Sequence, residues 1–204
     1  MSGFSRAFYL ARTLSPANFL NRLILPHAAT ANCTHLPMSP DPLHRSLLKF
    51  LLLSAFSFFV GTVHGMLQVM PPIRAWLDSI GSPYGGPGHM IDPLAHARMN
   101  LVGGVVLLAM GVTFYLLPVL TGKKIYSIRL VNHTFWWVSI GVYSFYIIQM
   151  YFGITEGLML HNHPESIPAI HHYYGPSVAL SGTTMLFGFC TYLANVLLTV
   201  TQKR

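Results

Sequence analysis

The sequence predicts an all-α fold: an integral membrane four-helix bundle with both termini in the cytoplasm. Three observations carry this. Of 204 residues, 52% are hydrophobic and only 8% are charged, whereas a soluble domain carries about a quarter charged residues. Four apolar runs each reach the ~20 residues that cross a bilayer core. In lipid the backbone must satisfy its own hydrogen bonds, so these runs are helices and not strands.

Residues 1–44 hold Arg6, Arg12 and Arg22, scattered Ser, Thr and Asn, and no acid before Asp41. Apolar patches such as Ala17–Leu25 are too short to span. This segment reads as a flexible or artefactual extension. It is a transit peptide, an amphipathic arm, or the product of a mis-assigned start, with Met38 as the true one. The domain proper is residues 45–204.

The first run, about 46–70, is interrupted by Lys49, His64 and Gln68. Gly61 and Gly65 have the small-xxx-small spacing that lets membrane helices approach closely. The second run is about 94–120 and contains Gly103, Gly104 and Gly111. The third is about 134–156 and the fourth about 176–200, where Gly182-Thr183-Thr184 offers another small surface. Between the first two runs, Pro71–Pro93 is rich in Pro and Gly and predicts turns rather than helix. No internal repeat and no second domain are present.

Basic residues set the orientation. Arg45 and Lys49 flank the first run, Lys123, Lys124 and Arg129 lie in the second loop, and Lys203 and Arg204 end the chain. The first loop has only Arg74, with Arg98 at its far end, and the third loop has no Lys or Arg. The positive-inside rule puts both termini and the second loop in the cytoplasm. Trp76, Trp136, Trp137, Tyr173 and Tyr174 sit at run ends, where amphipathic rings settle. The formal charge of +7 therefore reads as topology and contact with anionic lipid, not as nucleic-acid binding.

Two cysteines, Cys33 and Cys190, stand far apart, and no Cys-x-x-Cys occurs, which excludes covalent c-type haem. Eleven histidines are many for this length. His161, His163, His171 and His172 crowd the third loop, Glu156–Gly175, with Glu156 and Glu165. They are candidates for copper or zinc on the outer face, or for a solvated loop that docks a partner. His96 and Arg98 stand at the mouth of the second run, where polar groups face a bundle interior or water. His64 lies at a similar depth on the first helix and either faces His96 or bonds Gln68 one turn away. His133, on the other side, reads as structural.

Five patches carry a family resemblance. They are His96 with Asn100-Leu-Val-Gly103; Tyr115-Leu-Leu-Pro118; Tyr126-Ser127-x-Arg129-Leu130 leading to Asn132 and Phe135-Trp136; Ile140-Gly141 to Gly153-Ile154-x-x-Gly157-Leu158-Met159; and Glu165-Ser166 to His171-x-Tyr173-Tyr174. In order and spacing, about residues 46–204 resemble the last four helices of the catalytic subunit (subunit I) of haem–copper oxidases, nearest the cbb-type cytochrome c oxidases and nitric oxide reductases.

The resemblance implies a haem b-binding subunit of a respiratory complex in the bacterial cytoplasmic membrane. It would take part in electron transfer from a cytochrome c-like or quinol donor. His96 falls on the family's proximal haem ligand, with His64 or His171 as a second ligand and Arg74 and Arg98 as propionate partners. The family writes this helix start as His-x-His. Here the second position is Arg98, which stays protonated and does not ligate iron. The family's copper ligands lie on earlier helices, so any oxidoreductase activity needs partner subunits. The other expectation is a haem-free membrane scaffold of a larger complex.

Overall fold

A computed structural model describes residues 41–203, so nearly all of the N-terminal extension lies outside the described residues. Within them the chain is helical, with four helices long and apolar enough to cross a membrane. Helix α1 is Pro42–Gln68, capped by Asp41, whose side chain accepts from the Leu43 N–H at 3.0 Å. Helix α2 is Pro71–Ser79. The second long segment, α3, is Gly86–Thr121, helix α4 is Ile128–Asn162, and helix α5 is Tyr174–Thr201. Short turns at Pro164–Ser166 and Ile167–His171 lead into α5.

Successive long helices run antiparallel, so α1 and α4 are parallel. At one end Ser46 and Lys49 of α1 meet Asn132 of α4, and Lys123 reaches the Val200 and Gln202 carbonyls of α5 at 2.6 Å. Asn195 bonds both the N–H and the carbonyl of Ser127, pinning α5 to the start of α4. The opposite end gathers Gln68, α2, the start of α3 and the end of α4.

Polarity in α1 is inverted relative to a soluble helix. Its outward face is Leu48, Leu52, Phe56 and Phe59, all exposed. Its inward face includes Ser54, Ser57, Gly61, His64 and Gln68, all buried. Hydrocarbon tails solvate leucine as well as a protein core does, so the polar and small residues turn inward, where they find partners. Ser54 donates to the Gly104 carbonyl at 2.8 Å and Gln68 to the Ile91 carbonyl at 3.0 Å. A Cβ at Gly61 would run into the Asn100 amide, and one at Gly65 would touch His96 at 3.7 Å. The expected small-xxx-small contact is therefore made by α1 on α3. Phe50, Phe114 and Phe135 fill the core nearer the other end in edge-on pairs 5.2–6.1 Å apart.

Three local expectations are corrected. Pro71–Ser79 is a helix, not a string of turns. Two prolines at its start fix φ and lack N–H groups that would be orphaned there anyway, and Leu77 buries against Ile80 and Ile91. Helix α4 runs on to Asn162, so Glu156 and His161 sit on a helix rather than in a loop. On α5, Gly182 faces open space. The close approach is made instead by Gly141 against Met185 and Gly188 against Val138.

Arg74 ties α2 to the bundle. Its guanidinium bonds Asp78 one turn on, Asp92 at 2.6 Å and the Ser82 hydroxyl at 3.2 Å. The hydrogen bond from Arg74 holds the Asp78 carboxyl below its ordinary value of 3.8, and the two carboxylates raise the Arg74 pKa. A carboxyl depressed on folding contributes stability that is present above its ordinary pKa and lost as pH falls through the folded one. Hydrogen exchange in α2 should therefore accelerate as pH drops below the ordinary carboxylate range, after correction for intrinsic rates. Asp78→Asn should flatten that dependence.

The glycine contacts make a second expectation. At Gly141 an added Cβ would meet the Met185 N at 2.8 Å and the Ser181 carbonyl at 3.0 Å, backbone atoms that cannot step aside. Gly141→Leu should destabilise the bundle by about 1–3 kcal/mol, as overpacking does. Gly182→Leu should be near neutral. Denaturant unfolding of the detergent-solubilised protein reads both.

Candidate functional site

Helix α3 breaks where it matters for His96. Asp92 has extended backbone (φ −125°, ψ 117°) ahead of Pro93, as expected for a residue that precedes proline. Beyond it, after His96–Arg98, the chain is wound more widely than an α-helix over Met99–Val106. Such wide turns shift side chains around the axis and recur at functional sites.

His96 and His64 come together, as their expected depths require. Their rings are 5.8 Å apart, edge to face. The His64 side chain is fully engaged. Gln68 Nε2 lies 3.0 Å from the Ile91 carbonyl, an acceptor, so this atom is the amide nitrogen. Its second hydrogen points to His64 Nε2, also 3.0 Å away. Nε2 therefore accepts, His64 is the neutral Nδ1–H tautomer, and Nδ1 donates to the Tyr146 oxygen at 3.2 Å.

His96 is the reverse case. Its ring is about a quarter exposed, and its Nδ1 is buried with no hydrogen-bond partner. Asp92 Oδ1 lies 4.0 Å from it. The other Asp92 oxygen is taken by Arg74 and by Ser82, the latter at 2.9 Å. Arg98 is exposed and lies over the Phe145 ring at 4.1 Å.

The third-loop histidines disperse. His171 Nδ1 bonds the buried Glu156 at 2.9 and 3.1 Å and its ring leans on Tyr174. His161 meets the Ser79 hydroxyl at 3.2 Å, His163 lies 3.6 Å from Glu165, and His172 packs on Tyr173. Among the described residues no three His, Cys, Asp or Glu side chains gather to hold a metal ion. His161, His163, His171 and His172, candidates for copper or zinc or for a docking loop, thus do not converge on one point. His133 is exposed near the other end.

Sequence reading missed Asp92, Tyr146 and Gln149. Asp92 carried a signal: it is the acid one turn before His96. Tyr146 and Gln149 lie inside an apolar run with nothing to show which helix they face. Gln149 is fully buried and neither amide atom has a partner.

Comparison with known proteins bears on this geometry. No family model matches the chain. It is 27% identical over 118 residues to a cytochrome c oxidase subunit 1 homolog of Agrobacterium tumefaciens (strain T37), a match that takes in 52% of this chain and 22% of that protein. It is 28% identical over 116 residues to the cbb3-type cytochrome c oxidase subunit CcoN1 of Stutzerimonas stutzeri, covering 55% of this chain and 22% of that protein. The chain thus spans about a fifth of the length of these relatives. The resemblance read from the residues, to part of a haem–copper oxidase subunit I close to the cbb type, is the one that direct comparison returns.

Proposed function

We propose that this chain is a haem b-binding membrane subunit of a respiratory complex like the haem–copper oxidases and nitric oxide reductases, with His96 as the iron ligand. One observation carries it. The His96 ring has a buried, unpartnered Nδ1 facing the Asp92 carboxylate. Imidazoles that ligate metals through one nitrogen present the other to a carboxylate or carbonyl. Arg74 and Ser82 anchor Asp92 and leave its second oxygen toward His96.

The residues present would offer one imidazole, His96, to a haem iron. His64 is in contact with His96 but has both nitrogens engaged, so it ligates only by giving up Gln68 or Tyr146. His171 is committed to Glu156. Arg98 makes no ion pair among the described residues and suits a propionate, whereas Arg74 is already held by Asp78 and Asp92. A haem b bound there supplies reversible one-electron transfer. This chain's part is to orient the imidazole, hold its proton at Nδ1 and shield one side from lipid. Further membrane subunits complete the pocket, and a cytochrome c-like protein or a quinol supplies electrons. The setting is the bacterial cytoplasmic membrane, with the histidine-bearing end outward by the distribution of Lys and Arg.

A haem-free scaffold subunit is the second reading. It draws on the engaged nitrogens of His64 and on Arg98 standing where the family pattern has its second histidine.

A reduced-minus-oxidised spectrum of the protein made with ample haem separates the two. The haem reading expects a b-type signal that His96→Ala abolishes and His64→Ala retains. A flat spectrum from folded protein leaves the scaffold, and loss of the signal in both variants makes His64 a second ligand.

A further inference from the structure

Helices α1 and α3 are not closed on each other along their whole length. Near the middle they are held together. Ser54 bonds the Gly104 carbonyl, and a Cβ at Gly111 would meet the Phe50 Cβ at 2.8 Å. Toward the end away from His96 they leave a cavity of about 330 Å³, within the ~300–1,000 Å³ of small-molecule sites. Helix α1 lines it with His44, Leu47 and Leu51, and α3 with Gly111, Val112 and Tyr115. Gly111 brings no side chain to fill the space, and Phe50 behind it is packed on Phe114 and Phe135. The contact at Gly111 stops the helices from closing further.

The lining changes character along the bundle. Gly111 is level with Phe50. His44 comes six residues before Phe50, and Tyr115 four residues after Gly111. Because α1 and α3 run in opposite directions, both lie toward the same end. The rest of the lining is apolar. From His44 to Leu51 is seven residues, about 10 Å, or roughly a third of a ~30 Å hydrocarbon core. A polar rim above an apolar slot of this depth suits a molecule with a polar head and a hydrocarbon chain.

Charge decides which head. Among the described residues this end carries Arg45, Lys49, Lys123, Lys124, Arg129 and Lys203 against one acid, Asp41. The opposite end carries Asp78, Asp92, Glu156 and Glu165 with Arg74 and Arg98. Lys49 is bonded to Asn132, and Lys123 to carbonyls of α5. Arg45 follows His44 and is exposed, one turn before the exposed Leu48, which also lines the cavity. Its stem can lie along apolar surface while the guanidinium stays at the level of lipid heads. A guanidinium holds a phosphate through two N–H donors, and basic pockets between membrane helices bind anionic lipid heads.

We propose that the α1–α3 groove binds one anionic phospholipid, its phosphate at Arg45 and His44, Tyr115 at the rim, and the upper part of an acyl chain between Leu47, Leu51 and Val112. The assignment involves no haem and no residue near His96. The groove between α4 and α5 is the contrast. Ile140, Ile147, Leu180 and hydroxyl residues line it, with no Lys or Arg among them. It offers a lipid nothing that depends on the charge of the head.

Native mass spectrometry of the full-length chain tests this. Phosphatidylglycerol or phosphatidylcholine with the same acyl chains is added in detergent, and lipids that stay bound as the micelle is stripped are counted. One phosphatidylglycerol should be retained roughly fivefold or more over phosphatidylcholine, the preference that a single cation near the surface gives an anionic lipid. Arg45→Gln should reduce its retention to that of phosphatidylcholine. Leu51→Trp, at a position 45% exposed, should fill the slot and abolish retention, while Ile147→Trp in the other groove should leave it unchanged. Equal retention of the two lipids by the unaltered chain overturns the site and leaves ordinary boundary lipid. Undiminished preference in Arg45→Gln overturns the phosphate contact, and a loss in Ile147→Trp that matches Leu51→Trp overturns the placement.

Discussion

The structure depends on the contact of α1 with α3, made through polar and small residues. In a bilayer no hydrophobic gain rewards burying leucine against leucine, so association rests on close approach and hydrogen bonds. Gly61 and Gly65 permit the approach; Ser54 and Gln68 supply bonds to backbone carbonyls of α3. The same contact fixes the chemistry at its open end. Because Gln68 is held by the Ile91 carbonyl, it has one hydrogen left for His64, and the tautomer of His64 follows. The state of one ring is thus set by helix packing several residues away.

The break at Asp92-Pro93 is the second device. Proline removes an N–H and pushes the residue before it out of helical geometry, which frees Asp92 to turn toward Arg74 and Ser82. A continuous helix would carry Asp92 in an ordinary i,i+4 relation to His96, with its carboxylate free to swing. Clamped by α2, it offers His96 one fixed oxygen. Helix α2 is therefore part of the site, although it contributes no atom that touches His96.

Much of this was legible in the sequence, for reasons that differ by residue. The four spans followed from length and apolarity, which the bilayer enforces without regard to tertiary detail. The common depth of His64 and His96 followed from their distances to the run ends, and the Gln68 bond from i,i+4 spacing. What escaped depends on rotation about helix axes. Gly182 and Gly141 look alike in the sequence, yet only Gly141 points at a neighbouring backbone. Tyr146 and Gln149 read as members of an apolar run because nothing local shows which helix they face. The extent of α4 was missed because Glu156 looks like a loop residue until its partner His171, fifteen positions on, is placed beside it.

The histidines of the α1–α3–α4 seam and those of the third loop differ in how their polar atoms are partnered. Loop histidines that were candidates for metal have each found a local partner: a carboxylate, a hydroxyl or an aromatic ring. They have no common focus. In the seam the opposite holds, since His96 Nδ1, Asn100 Oδ1 and the Gln149 amide are buried atoms without hydrogen-bond partners, near a histidine whose bonds are complete. Membrane bundles that only hold other proteins gain by replacing such atoms with apolar groups of the same shape, because an unsatisfied donor or acceptor is more harmful than no donor at all. Unmet polar capacity in this bundle thus gathers around His96, Asn100 and Gln149 rather than among the third-loop histidines.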